Sequence, residues 1–422
     1  MAEAEIGRTH SVGIDEVVTT VVMARVTDFF GFFVYAIASA LVFPRLFFPM
    51  LDPVTGTMAA FALFALAFVV RPFASVGGRW VQTKIGKTGK ITLALFILGT
   101  STVAIGLLPG YAQIGWLAPT LLALLRVLQG IGLGGSWDGI TLQLQNAAPE
   151  GRKGIYAMVP QLGGPIGFIV AAAMFYVLTG FLTDEEFIKY GWRFAFFAVM
   201  AVNVVSLFAR LRLLQADFGA DEITFKSAPY LEMIRTQWRP VFLSTMIPLA
   251  SYALFHMVTV FPLAYAMLYT DMSVDYIILL QLVGGVLAVL TVILSGVLAD
   301  MYTKRGVLWV SIALIPLLCL TLPYLGTMPE LYIIGGFCVL GLASGQSSAI
   351  VPNRFPPQYS YSGTALSTNL SWIVGAAFAP LVGLTLTSWF GLGAAALYLI
   401  SGVVVTAISL YLLGEYKRAA QI

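Results

Sequence analysis

The chain has 422 residues, 59% of them hydrophobic and 10% charged, with a formal net charge of +3. A soluble domain carries about 25% charged residues, and no single core hides this much apolar surface, so a water-soluble enzyme is excluded and lipid is the expected solvent. The small positive charge is explained by the sided placement of cations between apolar runs and gives no reason to invoke nucleic acid.

Apolar runs of about 20 residues, long enough to cross a bilayer as helix, recur twelve times. In chain order they lie near 18–43, 56–76, 91–109, 117–146, 154–180, 191–213, 240–269, 276–299, 307–326, 331–351, 362–388 and 391–414. The first holds Arg25 and Asp28 within RVTDFFGFF. A charge inside a spanning helix costs a few kcal/mol even on lenient insertion scales, so it faces a polar pathway or a partner. Asp28 lies ~15 Å into its helix at 1.5 Å per residue. Arg126, entering from the other side in the fourth run, reaches a similar depth. Asp138 follows ~18 Å further along that helix, where it can relay protons or pair with a loop cation. His256 is the intramembrane histidine of the seventh run. It can either take a proton near neutral pH or line a cavity as a neutral, hydrogen-bonded ring. Gln129, Gln143, Gln145, Gln161, Ser251, Gln281, Asn369 and Trp372 are suited to a cavity wall or to holding helices together. Cys319 and Cys338 fall inside predicted helices, against a disulfide framework.

The connections are sided. Arg79, Lys84, Lys87 and Lys90 fill the second, and Arg152 and Lys153 the fourth. Arg210, Arg212, Lys226, Arg235 and Arg239 flank or occupy the sixth, Lys304 and Arg305 the eighth, and Lys417 and Arg418 end the chain. The opposite side has mainly Arg45 and Lys189, with Asp184, Glu185 and Glu186. The positive-inside rule then places both termini in the cytoplasm, and no cleavable signal peptide is expected. The longest polar segment falls at the midpoint. The expected division is a tail at 1–17, a six-helix bundle at 18–213, a central loop at 214–238, a second bundle at 239–414 and a tail at 415–422. The turn Gly296–Gly306 (GVLADMYTKRG) echoes Gly78–Lys90 (GRWVQTKIGKTGK) about half a chain earlier, as two repeated halves would.

These residues carry a family resemblance. The GxLAD…KRG turn resembles the signature loop of the major facilitator superfamily. FFVYAIASALVFPRLFFP (Phe32–Pro49), LLRVLQGIGLGGSW (Leu124–Trp137), AAPEGRKGIYAMVPQLGGPIG (Ala147–Gly167) and YSGTALSTNLSWIVGAAFAPL (Tyr361–Leu381) resemble its metabolite:proton symporter branch. That branch includes permeases for 2-oxoglutarate, shikimate, and proline or betaine. The resemblance implies an all-α membrane protein: twelve helices in two six-helix bundles, a central cavity, alternating access and proton coupling, without a cofactor. It also implies that a first-helix carboxylate and a fourth-helix arginine, here Asp28 and Arg126, form a proton-sensitive pair, and that Asp300, with Lys304 and Arg305, gates one face. The sequence departs from the branch in its acidic positions. Gly31, Ser136 and Asn146 stand where carboxylates are usual, Asp138 is added, and Gln82 and Thr83 replace the aspartate of the first signature turn.

The intramembrane charges are Arg25, Arg71 and Arg126 against Asp28 and Asp138, a cationic excess that favours a small anion, a carboxylate before a zwitterion. Guanidinium matches a carboxylate with a two-pronged fork, which makes Arg126 the candidate grip. Its alternative role is to brace the bundle through backbone carbonyls. Arg25 can join in binding or simply neutralise Asp28, and Arg71 is expected to snorkel to the interface. Phe29, Phe30, Phe32, Phe33, Tyr35 and Trp137 suit the apolar part of a substrate. The expectation is a monomeric symporter of the bacterial inner membrane that imports an organic acid with protons. The rivals are an exchanger, uniporter or exporter on the same fold, and a transporter-like receptor. No metal spacing or acyl- or phosphoryl-transfer motif supports an enzyme.

Overall fold

The computed structural model describes residues 14–136, 144–145, 148–215, 230–347, 349–351 and 355–419. These form twelve crossings. The first is α1 (Ile14–Leu41). One continuous helical stretch, Pro53–Leu107, supplies the next two. At 1.5 Å per residue it would be ~80 Å long, far more than a ~30 Å hydrocarbon core. Gly86, at φ +75°, breaks it, because a residue without Cβ enters that conformation without clash. The part before Gly86 is α2 and the part after it α3. They are followed by α4 (Leu117–Gly135), α5 (Lys153–Phe181) and α6 (Arg193–Gln215).

The second half repeats the scheme with α7 (Glu232–Thr259) continued by Phe261–Tyr269. Next come α8 (Val274–Met301), α9 (Lys304–Cys319), α10 (Pro329–Ser347), α11 (Pro357–Phe390) and α12 (Leu392–Ala419). An even number of crossings returns the chain end to the face where α1 begins, here called the termini face. The expected all-helical architecture of two six-helix bundles is what forms. Cys319 and Cys338 are both unpaired thiols.

Local chemistry starts and bends these helices. Asp52 caps α2, accepting from the Val54 and Thr55 amides, with Pro53 following; Ser273 caps α8 and Thr303 caps α9. Both devices satisfy first-turn N–H groups that have no helical partner. Small residues set lateral packing. A Cβ on Gly130 would stand 2.6 Å from the Ala67 carbonyl oxygen, and one on Gly134 2.3 Å from that of Arg71, so α4 lies directly on the backbone of α2. The bundles meet where α5 packs on α8 and α2 on α11. Outward faces stay apolar, with Leu290, Ile408 and Phe208 all exposed, as lipid solvation allows.

Candidate functional site

Aromatic side chains close the centre between the bundles. Phe29, Phe32 and Phe33 recur at helical spacing on α1, so they share a face. Phe33 stacks on Phe255 of α7 at 5.2 Å and Phe29 meets the same ring at 5.7 Å. Phe32 meets Phe68 of α2 at 5.4 Å. Phe68 stacks on Trp372 at 5.9 Å, and Trp372 on Tyr252 at 4.4 Å. Trp372 opens a π-helical turn, Trp372–Ala377, inside α11. Such a turn re-aims side chains and is frequent at functional sites. Asn369 is buried one turn before it, and Ser251 is buried with its hydroxyl donating to the Pro248 carbonyl at 2.9 Å.

Arg126 lies against one side of this cluster, 1% exposed. Its Nε and Nη2 donate to the Phe64 carbonyl at 3.2 and 2.9 Å, and Nη1 donates to Gln129 Oε1 at 2.9 Å. Gln129 in turn donates to Thr102 at 2.8 Å. The guanidinium covers the Tyr35 ring at 4.0 Å and the Phe64 ring at 5.1 Å. Among the described residues no carboxylate comes within ion-pair distance of it. Of the five N–H donors of a guanidinium, three are spent on bracing and two are left over. Two unspent polar groups lie beside it. Among the described residues the buried Tyr35 hydroxyl has no hydrogen-bond partner, and neither has either ring nitrogen of His256. The alternative of a hydrogen-bonded ring at His256 finds no partner among the described residues. Instead, His256 is nested among Phe32, Phe64 and Phe255 at 5.2–5.4 Å. Buried polar groups are normally paired, so this constellation has the chemistry of a ligand site.

The expected Asp28–Arg126 pair does not form. Asp28 accepts from Arg210 of α6 at 2.7 Å, with Arg25 further off at 3.8 Å. Arg210, read as a loop cation, is 2% exposed and also donates to the Ala24 carbonyl at 3.1 Å. The signal for it was present in the apolar surroundings FARLRLL, which place it on a spanning helix. Arg71 does not snorkel outward. Its guanidinium lies over Trp372 at 5.9 Å and Phe68 at 6.0 Å, at the seam between bundles. Gln281 joins helices, donating to the Val258 and Thr259 carbonyls at 3.1 and 2.7 Å. Gln161 is half-buried in the tight turn Val159–Leu162 at the start of α5. Trp137, Asp138 and Gln143 lie outside the described residues.

Both ends of the α5–α8 pair are fastened across the bundle interface. On the termini face, the Asp300 carboxylate ends α8 and accepts from the backbone N–H groups of Gly154 and Ile155, the latter at 3.0 Å. Negative charge is favoured at a helix N-terminus. The contact is possible because Gly154 and Gly296 let the backbones touch: a Cβ on Gly154 would stand 2.6 Å from the Gly296 carbonyl oxygen. Lys304 is within electrostatic reach of Asp300. Arg305 stands apart from this contact. It donates to the Leu410 carbonyl at 2.8 Å and ties α9 to α12 inside its own bundle, so its expected place in the gate is corrected.

On the opposite face, Thr179 near the end of α5 donates to Asp275 in the first turn of α8 at 2.5 Å. A cavity of ≈160 Å³ lies there, lined in part by Arg45, Thr179, Asp184 and Asp275, and a larger one of ≈490 Å³ adjoins Arg45, Thr57 and Met267.

Arg45 and Asp184 pair two-pronged in the loops of that face, Nη1 to Oδ1 at 2.9 Å. The Arg45 hydrogen bonds hold the Asp184 carboxyl below the usual carboxylate range and raise the guanidinium's own value. The carboxyl is depressed in the folded state, so the pair contributes stability above the ordinary carboxylate pKa of about 4. That contribution disappears as pH falls below it through the depressed value. For so exposed a pair it is at most about 1 kcal/mol. Asp184→Asn should lower the unfolding midpoint slightly at pH 6, and by progressively less as pH falls below about 4, as measured by paired thermal melts in detergent.

Comparison with known proteins agrees with this architecture. The Major Facilitator Superfamily pattern matches residues 29–369. The chain is 34% identical to "Inner membrane metabolite transport protein YhjE" of Escherichia coli (strain K12), covering 96% of this chain and 95% of that one. It is 28% identical to the "Shikimate transporter" of the same organism, covering 93% of each. Among solved structures, that of a D-xylose-proton symporter superposes with TM-score 0.70 at 14% identity, over 94% of this chain and 97% of the other. That degree of identity speaks to fold alone.

Proposed function

The chain belongs to the Major Facilitator Superfamily and is a multi-pass membrane transporter, not an enzyme; from that premise we propose that it carries a small carboxylate metabolite across the bacterial inner membrane, with protons, by alternating access. The observation that carries this reading is Arg126. It is a buried cation with uncommitted N–H donors and no carboxylate partner among the described residues, beside the unpaired Tyr35 hydroxyl and His256 ring. An incoming carboxylate would satisfy the guanidinium fork and the hydroxyl together. The aromatic rings would meet the apolar remainder of the substrate, and the imidazole would meet a polar substituent. The cations of the connections support placing both termini in the cytoplasm, so the Asp300 contact closes the cytoplasmic side. The names of relatives, a shikimate transporter and an inner-membrane metabolite transport protein, agree with a small organic acid. The carrier works as a monomer, each bundle supplying one wall.

A second reading, an exchanger or uniporter, is favoured by one specific observation: Asp28 is committed to Arg210 and not to Arg126. Proteoliposome uptake of radiolabelled carboxylates and zwitterions, with and without an inward proton gradient, separates the two. Symport predicts gradient-driven accumulation in wild type, abolished by Asp28→Asn with counterflow retained. Equilibration that ignores both the gradient and the substitution would establish the second reading.

A further inference from the structure

Between Asp28 and Arg126, inside the N-terminal bundle and bordering the central aromatic cluster at Phe32, lies a polar cleft. Asp28, Thr102, Arg126, Gln129 and Asn203 contribute its polar lining, with Gly31, Phe32, Leu98 and Val199 among its apolar walls. Its volume is ≈10 Å³, about what one water needs, provided that polar partners surround it. Asn203 of α6 lines the cleft, is 4% exposed, and has a buried side-chain nitrogen with no hydrogen-bond partner. An amide nitrogen left unpaired in a site with carboxylate and amide oxygens on its walls is the standard setting for an ordered water.

We propose that this cleft holds one structural water, bound by Asn203, Asp28 and the Gln129 side, and that it is the link through which Asp28 communicates with Arg126. The proposal rests on the symport reading for its consequence, though not for the water itself. Asp28 faces Arg25 on its own helix, Arg210 on α6, Arg71 on α2 and, across the cleft, Arg126 on α4. Protonating Asp28 removes the anion that compensates buried Arg210. The water then faces a neutral carboxyl in place of a charged acceptor and turns towards Gln129, which positions Arg126 through their 2.9 Å hydrogen bond. Proton and substrate are thus connected through the wall of one bundle, by a water-sized cleft that Asp28 and Arg126 both line. Asn203 acts as a positioning residue: it makes none of the Arg126 hydrogen bonds and works through the water.

Two measurements test this. In radiolytic hydroxyl labelling of the full-length carrier, buried Phe32 and Leu98 should be modified in wild type, because ordered water lies beside them. The near-isosteric Asn203→Leu should reduce that labelling severalfold. No labelling at either residue in wild type overturns the water site, whatever the transport mode. In proteoliposomes, Asn203→Leu should cut gradient-driven accumulation at least tenfold while counterflow stays within twofold, and Asn203→Ser, small and polar, should restore accumulation. Wild-type accumulation in Asn203→Leu overturns the coupling role. Absence of gradient-driven accumulation in wild type overturns the symport reading and the coupling role with it, while the labelling still decides the water.

Discussion

Replacing Arg126 with glutamine should abolish transport of a carboxylate substrate while leaving a folded carrier. Removing one partner of a buried, hydrogen-bonded charge pair costs about 2–5 kcal/mol, which at about 1.4 kcal/mol per decade is a loss of roughly 30-fold to several thousandfold in affinity. The folded state loses less. The contacts to the Phe64 carbonyl and Gln129 disappear, but so does a buried cation with no carboxylate beside it among the described residues, and the two effects oppose each other. Arg126→Lys keeps the charge without the fork, so its affinity should lie between those of wild type and Arg126→Gln. The check is substrate binding by scintillation proximity, alongside the melting temperature of each variant. Retained affinity with a sharply lowered melting temperature would reduce Arg126 to a brace for α2 and α4.

Asp300→Ala should open the termini face. The carboxylate accepts from two backbone N–H groups at the start of α5. A hydrogen bond to a charged group contributes about 1.5–3 kcal/mol, enough to move a two-state equilibrium by about one to two decades. A second tie, Gln346 donating to the Gly154 carbonyl at 3.1 Å, remains, so the shift should be large but incomplete. Spin labels at exposed Arg152 and Met301 should change from a short, narrow distance distribution to one with a dominant longer component. Active accumulation should fall in parallel, because the carrier returns poorly to the state with this face closed. Asp300→Asn, which keeps shape and loses charge, should lie between. An unchanged distribution in Asp300→Ala would mean that the glycine packing of α5 on α8 holds the face shut without the carboxylate. The Thr179–Asp275 bond at the far end of the same helix pair makes α5 and α8 the element on which both faces are fastened.

The crossings could be read from the residues because insertion into lipid is governed by the summed hydrophobicity of a local stretch. Even the break at Gly86 fell within a turn already marked by glycines and cations. Arg126 stood out for the same reason, a charge at mid-depth in an apolar helix, and Asp300 through the motif that surrounds it. A helix that is apolar on nearly every side, as spanning helices are, gives little indication of which face meets which neighbour. That rotation decided the partner of Asp28, a choice between Arg25 on its own helix, Arg126 and Arg210, the last 182 residues away. It also put Arg71 over Trp372 at the seam, sent Arg305 to the Leu410 carbonyl, and buried His256 among rings without a hydrogen bond. The Asp300 partners are backbone N–H groups, which every residue but proline possesses and which no side-chain pattern announces. The amino-acid sequence thus determined how many times the chain crosses the bilayer and at what depth its charges sit. Lateral packing alone decided which groups those charges meet, because the energy of an ion pair or hydrogen bond depends on ångström-scale contacts between helices far apart in the chain.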